Sequence, residues 1–142
     1  MLIRRPSAIV FLAFTDPNEI TKFWLAASSG ALAVGKKIRW DFMVKGASAE
    51  LHVKAFEKNR RILGEWDDGT TVEWNFTELD EERTVVSITN SGFGGNAEEA
   101  MAAALDATQG FTIVLCDLKT LLETGTSANL VRDKAALIEM EK

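Results

Sequence analysis

The stretch Lys37-Ile38-Arg39-Trp40-Asp41-Phe42 decides the fold class, because charged and apolar residues alternate strictly along it. Successive side chains of a β-strand point to opposite faces, so the alternation predicts a strand with one covered and one wet face. Four further runs are predicted as strands, at residues 49–55, 61–66, 71–77 and 83–90. The middle of the chain is therefore a sheet.

Short polar segments join these runs. Asp67-Asp68-Gly69 is a tight hairpin signal, and Lys58-Asn59-Arg60 and Asp80-Glu81-Glu82 are further turns. Consecutive strands joined in this way form an antiparallel meander. Residues 1–5 are expected to add an edge strand, which brings the sheet to about six strands. The alternation breaks at Phe56, which indicates a bulge or the end of that strand.

Two short helices are predicted before the sheet. Pro6 fits the first position of a helix whose apolar body runs over residues 7–14. Asp16-Pro17-Asn18-Glu19 is a strong helix start, because its first residue can cap and its last can reach back in a capping box. We expect this second helix to cover about residues 17–26, with Ser28-Ser29-Gly30 ending it.

One long helix follows the sheet. Asn96 can cap its start, and Gly125 is a typical stop after about residue 124. At 1.5 Å per residue this helix is about 43 Å long. Gly110 interrupts it at a cost of about 1 kcal/mol relative to alanine, and either a close approach to the sheet or a bend would explain it. Apolar or small residues recur every three or four positions: Met101, Leu105, Thr108, Phe111, Leu115, Leu118 and Leu122.

The bulk composition excludes several classes of protein. The 142 residues fit one domain, and the net charge of −5 argues against nucleic acid, because phosphate binding needs a basic face. The single cysteine, Cys116, allows no intramolecular disulfide and is typical of a reducing compartment. The N-terminus lacks the layout of a signal peptide, and no window approaches the about 18 apolar residues of a membrane span. We therefore expect a cytoplasmic protein without membrane insertion.

These elements predict an α+β domain over residues 1–125, in which a curved antiparallel sheet grips the long helix around an apolar cavity. Residues 126–142 are expected to form a peripheral C-terminal tail. The candidate ligand-binding residues are the inward apolar positions of the strands and helices, together with two threonines: Trp24, Trp40, Phe42, Leu51, Val53, Trp74, Phe76, Ile88, Thr108, Phe111, Thr112 and Leu115.

Each of these positions has an ordinary structural alternative. A single inward apolar residue is more often packed in a core than exposed to a ligand, whereas the set as a whole favours a cavity. Thr108 and Thr112 lie one turn apart on the long helix and could anchor a ligand. Their hydroxyls could instead bond back to helix carbonyls, which is the interpretation that we prefer.

No pattern in the sequence predicts catalysis, a metal or a cofactor. His52 is the only histidine and falls in the polar phase of its strand, which leaves it without partners for a triad or a metal cluster. Cys116 stands beside Asp117, and an acidic neighbour disfavours the reactive thiolate.

Several motifs resemble one known family. Phe14-Thr15-Asp16-Pro17, followed by Phe23-Trp24, resembles the signature of the family related to the activator of the heat-shock-protein ATPase, within the START-like (SRPBCC) superfamily. The segments that resemble its strands and its terminal helix are Gly35–Trp40, Val72–Phe76, Gly110-Phe111 and Leu118–Glu123. The resemblance covers about residues 6–125 and implies a helix-grip fold. Bacterial members are often labelled polyketide cyclase-like, so the resemblance implies a function only loosely.

Three functions remain open on the sequence. The first is binding of a small hydrophobic or lipid-like ligand in the cavity. The second is an enzyme of cyclase or hydratase type, which would need a titratable group such as Arg39, Asp41 or Glu73 to point inward. The third is a co-chaperone of a heat-shock ATPase that acts through its outer face, with a protein partner or a second copy of the chain.

Overall fold

The computed structural model describes residues 1–142. Its strands are β1 (Leu2–Ile3), β2 (Leu25–Ser28), β3 (Lys37–Phe42), β4 (Ser48–Glu57), β5 (Arg61–Trp66), β6 (Thr71–Asp80) and β7 (Arg83–Ser91). Its helices are α1 (Ser7–Thr15), α2 (Pro17–Ile20), α3 (Ala97–Thr124) and α4 (Leu130–Met140).

All seven strands form one antiparallel sheet in the order β1-β7-β6-β5-β4-β3-β2. The predicted α+β class, with a curved antiparallel sheet and a long C-terminal helix, is confirmed, and the sheet has one strand more than expected. The N-terminal edge strand pairs with β7, where Leu2 lies opposite Val85. The first residues of the chain therefore form an edge strand beside β7, the last strand of the meander.

The extra strand corrects the prediction of a second helix over residues 17–26. Helix α2 ends at Ile20, and β2 begins at Leu25 and pairs with β3, so that Ser28 lies opposite Trp40. The pairing continues beyond the strand, because Ser29 exchanges two hydrogen bonds of 2.9 Å with the backbone of Arg39. These long-range hydrogen bonds override the helical preference of the alanines in this segment.

The predicted ends of the long helix are confirmed. The side chain of Asn96 accepts a hydrogen bond of 2.9 Å from the backbone N–H of Glu99. Gly125 ends the helix in the left-handed conformation, at φ 84°, which glycine adopts without strain. The start of α1 differs from the prediction by one residue, because Pro6 is the N-cap and Ser7 is the first residue of the helix.

The broken alternation near Phe56 comes from a β-bulge. The pairing of β4 with β5 shifts between Val53 and Ala55, and the strand continues to Glu57. An extra residue reverses the alternation, so Phe56 joins the inner face. There its ring packs edge-on against Phe11, with the centroids 5.2 Å apart.

Aromatic side chains fill the centre of the domain. Trp40 and Trp74 are almost fully buried, with their ring centroids 6.1 Å apart. Trp24 lies 5.0 Å from Trp40, and Phe14 of α1 lies 6.2 Å from Trp74. Pairs of this kind contribute about 0.5–1.5 kcal/mol each beyond the area that they bury. The space between the sheet and α1 is therefore a solid core.

Helix α3 is covered along its C-terminal half only. Val114 and Leu118 are buried against the sheet, whereas Met101 and Leu105 are 65% and 66% exposed. The expectation that no window approaches a membrane span is wrong for α3, because by length and hydropathy alone this helix could cross a membrane, and 17% of its most apolar stretch is buried. That measure is weak evidence, since the core helix of a globular domain can satisfy it as well. The expected apolar face is thus present, but the sheet covers only part of it.

Candidate functional site

An open groove of about 400 Å³ lies between the sheet, α3 and α4. We call it the α3–α4 groove. Thirteen of its 19 lining residues are hydrophobic. Trp24 and Val114 are almost fully buried and form its inner wall, and Phe42 and Phe111 extend that wall outward. The remaining hydrophobic residues of the lining are Met43, Val44, Ala49, Trp66, Ala107, Ile113, Val131, Ala135 and Ile138.

Helix α4 forms one wall of this groove. The buried carboxylate of Asp117 on α3 accepts a hydrogen bond of 2.8 Å from the Ser127 hydroxyl and one of 3.3 Å from the Val131 N–H. At the far end of α4, the Glu139 carboxylate accepts a hydrogen bond of 2.6 Å from the backbone N–H of Lys45. The helix is therefore attached to α3 at its start and to the β3–β4 loop at its end.

The expected division into a domain of residues 1–125 and a peripheral tail stays a prediction, although the tail contributes directly to the groove. Val131, Ala135 and Ile138 follow the helical spacing of four and three, and Ala135 is buried. This stripe is the signal in the sequence that could have placed the tail against α3.

Five polar side chains also line the groove. Asp67 accepts a hydrogen bond of 3.1 Å from the Glu50 N–H, which leaves one of its carboxylate oxygens free. Asp68 uses a single oxygen to accept from the N–H and the hydroxyl of Thr70, at 2.8 and 2.7 Å. The other three polar side chains in the lining are Asn90, Asp106 and Lys134.

The candidate residues named from the sequence fall into three places. Those in the α3–α4 groove are Trp24, Phe42 and Phe111. A smaller cleft of about 150 Å³, between β7 and α3, is lined by Ile88, Thr108, Phe111, Thr112 and Leu115. The packed core holds Trp40, Leu51, Val53, Trp74 and Phe76. Whether any of these residues contacts a ligand stays a prediction.

The two threonines of α3 bond back to their own helix. The Thr108 hydroxyl donates to the carbonyl of Ala104 at 2.8 Å, and the Thr112 hydroxyl donates to the carbonyl of Thr108 at 2.7 Å. The preferred interpretation of these residues is confirmed, and the hydroxyl protons are already used.

Gly110 lies where α3 passes the groove. A Cβ atom built at this position meets no other atom within 4 Å, so no close approach to the sheet requires glycine here. Helix α3 also continues through this residue without a break. What the glycine provides is open space at the wall of the groove.

Charged side chains of the strands pair on the outer face. Arg39 contacts Asp41 at 3.0 Å, and Arg61 contacts Glu73 at 2.7 Å. Two hydrogen bonds lower the pKa of the Glu73 carboxyl below its ordinary value. The bond from Asn75 has the larger effect, and the bond from Arg61 follows. Neither pair enters the groove, and no group of three or more His, Cys, Asp or Glu side chains is arranged to hold a metal ion.

Residues 4–123 match the model of one protein family, described as Activator of Hsp90 ATPase homolog 1-like protein. This match confirms the resemblance seen over residues 6–125. It ends before α4, which therefore lies outside the matched region. No curated protein matches the chain.

Solved structures share the fold. Protein SSP2350 from Staphylococcus saprophyticus is 27% identical, with a TM-score of 0.77 over 89% of this chain and 90% of that one. DynU16, from the dynemicin biosynthetic locus, is 23% identical with a TM-score of 0.76, over 89% of this chain and 46% of that one. The Aha1 dimer from Colwellia psychrerythraea is 20% identical with a TM-score of 0.73, over 88% of this chain and 93% of that one. The last two are too distant in sequence to indicate more than the fold.

Proposed function

We propose that the chain, which belongs to the family of Activator of Hsp90 ATPase homolog 1-like proteins, binds a small hydrophobic or amphipathic ligand in the α3–α4 groove. The supporting observation is a space of about 400 Å³ in which 13 of 19 lining residues are hydrophobic. Ligand pockets in proteins have volumes of about 300–1,000 Å³ and combine apolar walls with a few polar groups. The groove matches that description in size and in composition.

The position of the groove beside the aromatic core supports the same proposal. Trp40 and Trp74 fill the centre of the domain, so little space remains there for a ligand. Trp24 belongs to this cluster and also faces the groove, where its ring lies 5.8 Å from that of Phe111. A ligand in the groove would extend the cluster outward and bury apolar surface, at about 25 cal/mol per Å² before the costs of association.

Two substitutions of Gly110 test the proposal as a matched pair. Gly110→Ala adds one carbon in open space and should leave the groove usable, whereas Gly110→Leu fills part of it. Native mass spectrometry of the purified protein and calorimetry with a panel of apolar and amphipathic compounds would measure binding. We expect Gly110→Leu to weaken binding at least about tenfold, because the added side chain takes up space in the groove that the ligand would occupy. Equal affinity in both variants, or no binding across the panel, would refute the proposal.

The description of the family favours a second candidate function, the regulation of a heat-shock ATPase. In that case the outer face of the sheet would contact the ATPase, and the groove would not be needed. The ATPase rate of the purified chaperone, with and without this protein, measures the effect. An effect that survives Gly110→Leu would support this function over ligand binding, and no effect at saturating protein would exclude it.

We also propose that a second copy of the chain is a protein partner. One structural relative is described as a dimer, and α3 of this chain exposes Met101 and Leu105. Sedimentation velocity would measure the oligomeric state. A dimer that becomes a monomer in Met101→Lys would support association through α3, whereas a monomer at high protein concentration would exclude it.

A further inference from the structure

We infer that the rim of the α3–α4 groove selects ligands by charge, and that it favours an apolar molecule with a protonated amine over one with a carboxylate. This inference rests on the proposed function, because it concerns the same groove. It adds a chemical class to the ligand: an apolar body with a cationic end.

The charges around the groove are unequal. Asp67, Asp68 and Asp106 bring three carboxylates to the lining, and Lys134 brings the one ammonium group. None of these four residues takes part in any of the seven ion pairs of the structure. The rim therefore carries a net negative charge, and none of its three carboxylates forms an ion pair with the protein.

Each carboxylate keeps an oxygen available. Asp67 and Asp68 use one oxygen each to accept hydrogen bonds from the protein. Asp106 is an exposed residue of α3, and its carboxylate accepts no hydrogen bond from the protein. A ligand amine has three N–H donors, so it could bond to such oxygens while its apolar part lies against Trp24.

The ammonium group of Lys134 is less available to a ligand than the three carboxylates. The Lys134 ammonium donates a hydrogen bond of 3.0 Å to the amide oxygen of Gln109. A ligand carboxylate would thus meet a single cation, already engaged, among three anions. The apolar walls of the groove strengthen this difference, because charges interact more strongly beside a low-dielectric surface than in water.

Three probes with the same apolar body test the inference: naphthylmethylamine, naphthylmethanol and naphthoate at neutral pH. Calorimetry on the full chain should give the tightest binding for the amine, intermediate binding for the alcohol and the weakest for the carboxylate. Salt should reduce the advantage of the amine, since the screening length is about 10 Å at 0.1 M. Binding of all three probes with equal affinity, or tightest binding of the carboxylate, would overturn the inference and leave the proposed function intact. Failure of all three to bind would count against both.

Single substitutions test whether the charged residues of the rim cause the preference for an amine. Asp106→Asn should weaken the amine about twofold to fivefold, the range expected for one exposed ion pair, and leave the alcohol unchanged. Lys134→Gln should weaken the carboxylate and spare the amine. Glu82→Gln, in the exposed β6–β7 turn, removes the same charge away from the groove and serves as the control. An equal loss of amine affinity in Asp106→Asn and Glu82→Gln would overturn the assignment, because the net charge of the protein would then explain the effect.

Discussion

Replacing Asp117 with alanine should weaken the docking of α4 on α3 and leave the sheet folded. Asp117 is 1% exposed, and its carboxylate accepts hydrogen bonds from the Ser127 hydroxyl and the Val131 N–H. These two bonds hold the loop before α4 and the first turn of the helix. The core of the domain, around Trp74, makes no use of them.

The size of the effect follows from the two bonds. A hydrogen bond to a charged group contributes about 1.5–3 kcal/mol. The Ser127 bond is 2.8 Å long and counts in full, whereas the Val131 bond of 3.3 Å exceeds the usual range and counts for about half. Alanine also removes a carboxylate that is costly to bury, which offsets part of the loss. We expect the docking of α4 to weaken by about 2–3 kcal/mol.

Hydrogen exchange measures this docking segment by segment. At 1.4 kcal/mol per factor of ten, amides of α4 should exchange about 30- to 150-fold faster in Asp117→Ala, and amides of β6 should stay protected. Asp106→Asn removes an exposed carboxylate from the same helix and should change neither segment. Unchanged exchange in α4 would refute the reasoning, and so would an equal loss of protection in β6, because the substitution would then act on the whole domain.

Three further predictions concern stability. Gly110→Ala should stabilise the fold by about 0.5–1 kcal/mol in urea denaturation, because it raises helix propensity where a Cβ has space, and an unchanged or lower stability would contradict this. Glu123 accepts hydrogen bonds of 2.6 Å from the Lys119 ammonium and 2.9 Å from the Arg4 N–H, which lower its pKa below 4.5. The stabilisation by Glu123 is therefore fully present above pH 4.5 and is lost as the pH falls through the lowered pKa of the folded state. Glu123→Gln should flatten this part of the plot of stability against pH, and an unchanged plot would exclude the contribution. Trp74→Ala should cost about 3–5 kcal/mol, whereas Trp74→Phe should cost far less, because both variants remove the buried indole N–H that has no partner but phenylalanine leaves a much smaller cavity; equal losses would contradict this.

The sequence predicted those elements that residues close together along the chain determine. The alternation of β3 and the cap and stop of α3 were readable because neighbouring residues alone determine them. Strand β2 was not readable, since its short segment becomes a strand only by pairing with β3. The β-bulge of β4 was visible as a break in phase, but its position near Val53 depends on the partner strand.

The candidate site was harder to predict than the fold. Strand phase placed Trp40 and Phe42 on the same inner face, although the first is packed in the core and the second lines the groove. The difference lies in what packs over each position, because the ring of Trp40 is covered by other tryptophans whereas Phe42 borders the groove, and phase carries no information about that. The role of Asp117 was equally hard to predict from the sequence, because an acid on a long helix usually faces water. Here the side chain is buried and holds α4.

The wall formed by α4 lies outside the region of the chain that matches the family. The family match covers residues 4–123, which include six of the seven strands, nearly all of α3 and the aromatic core. Val131, Lys134, Ala135 and Ile138 come from outside that region, and so does one of the charged groups at the rim. The match to the family therefore does not by itself imply the groove, because residues that close it lie outside the matched region. A search for the proposed ligand therefore needs the chain with α4 in place, because Val131, Ala135 and Ile138 supply one wall of the groove.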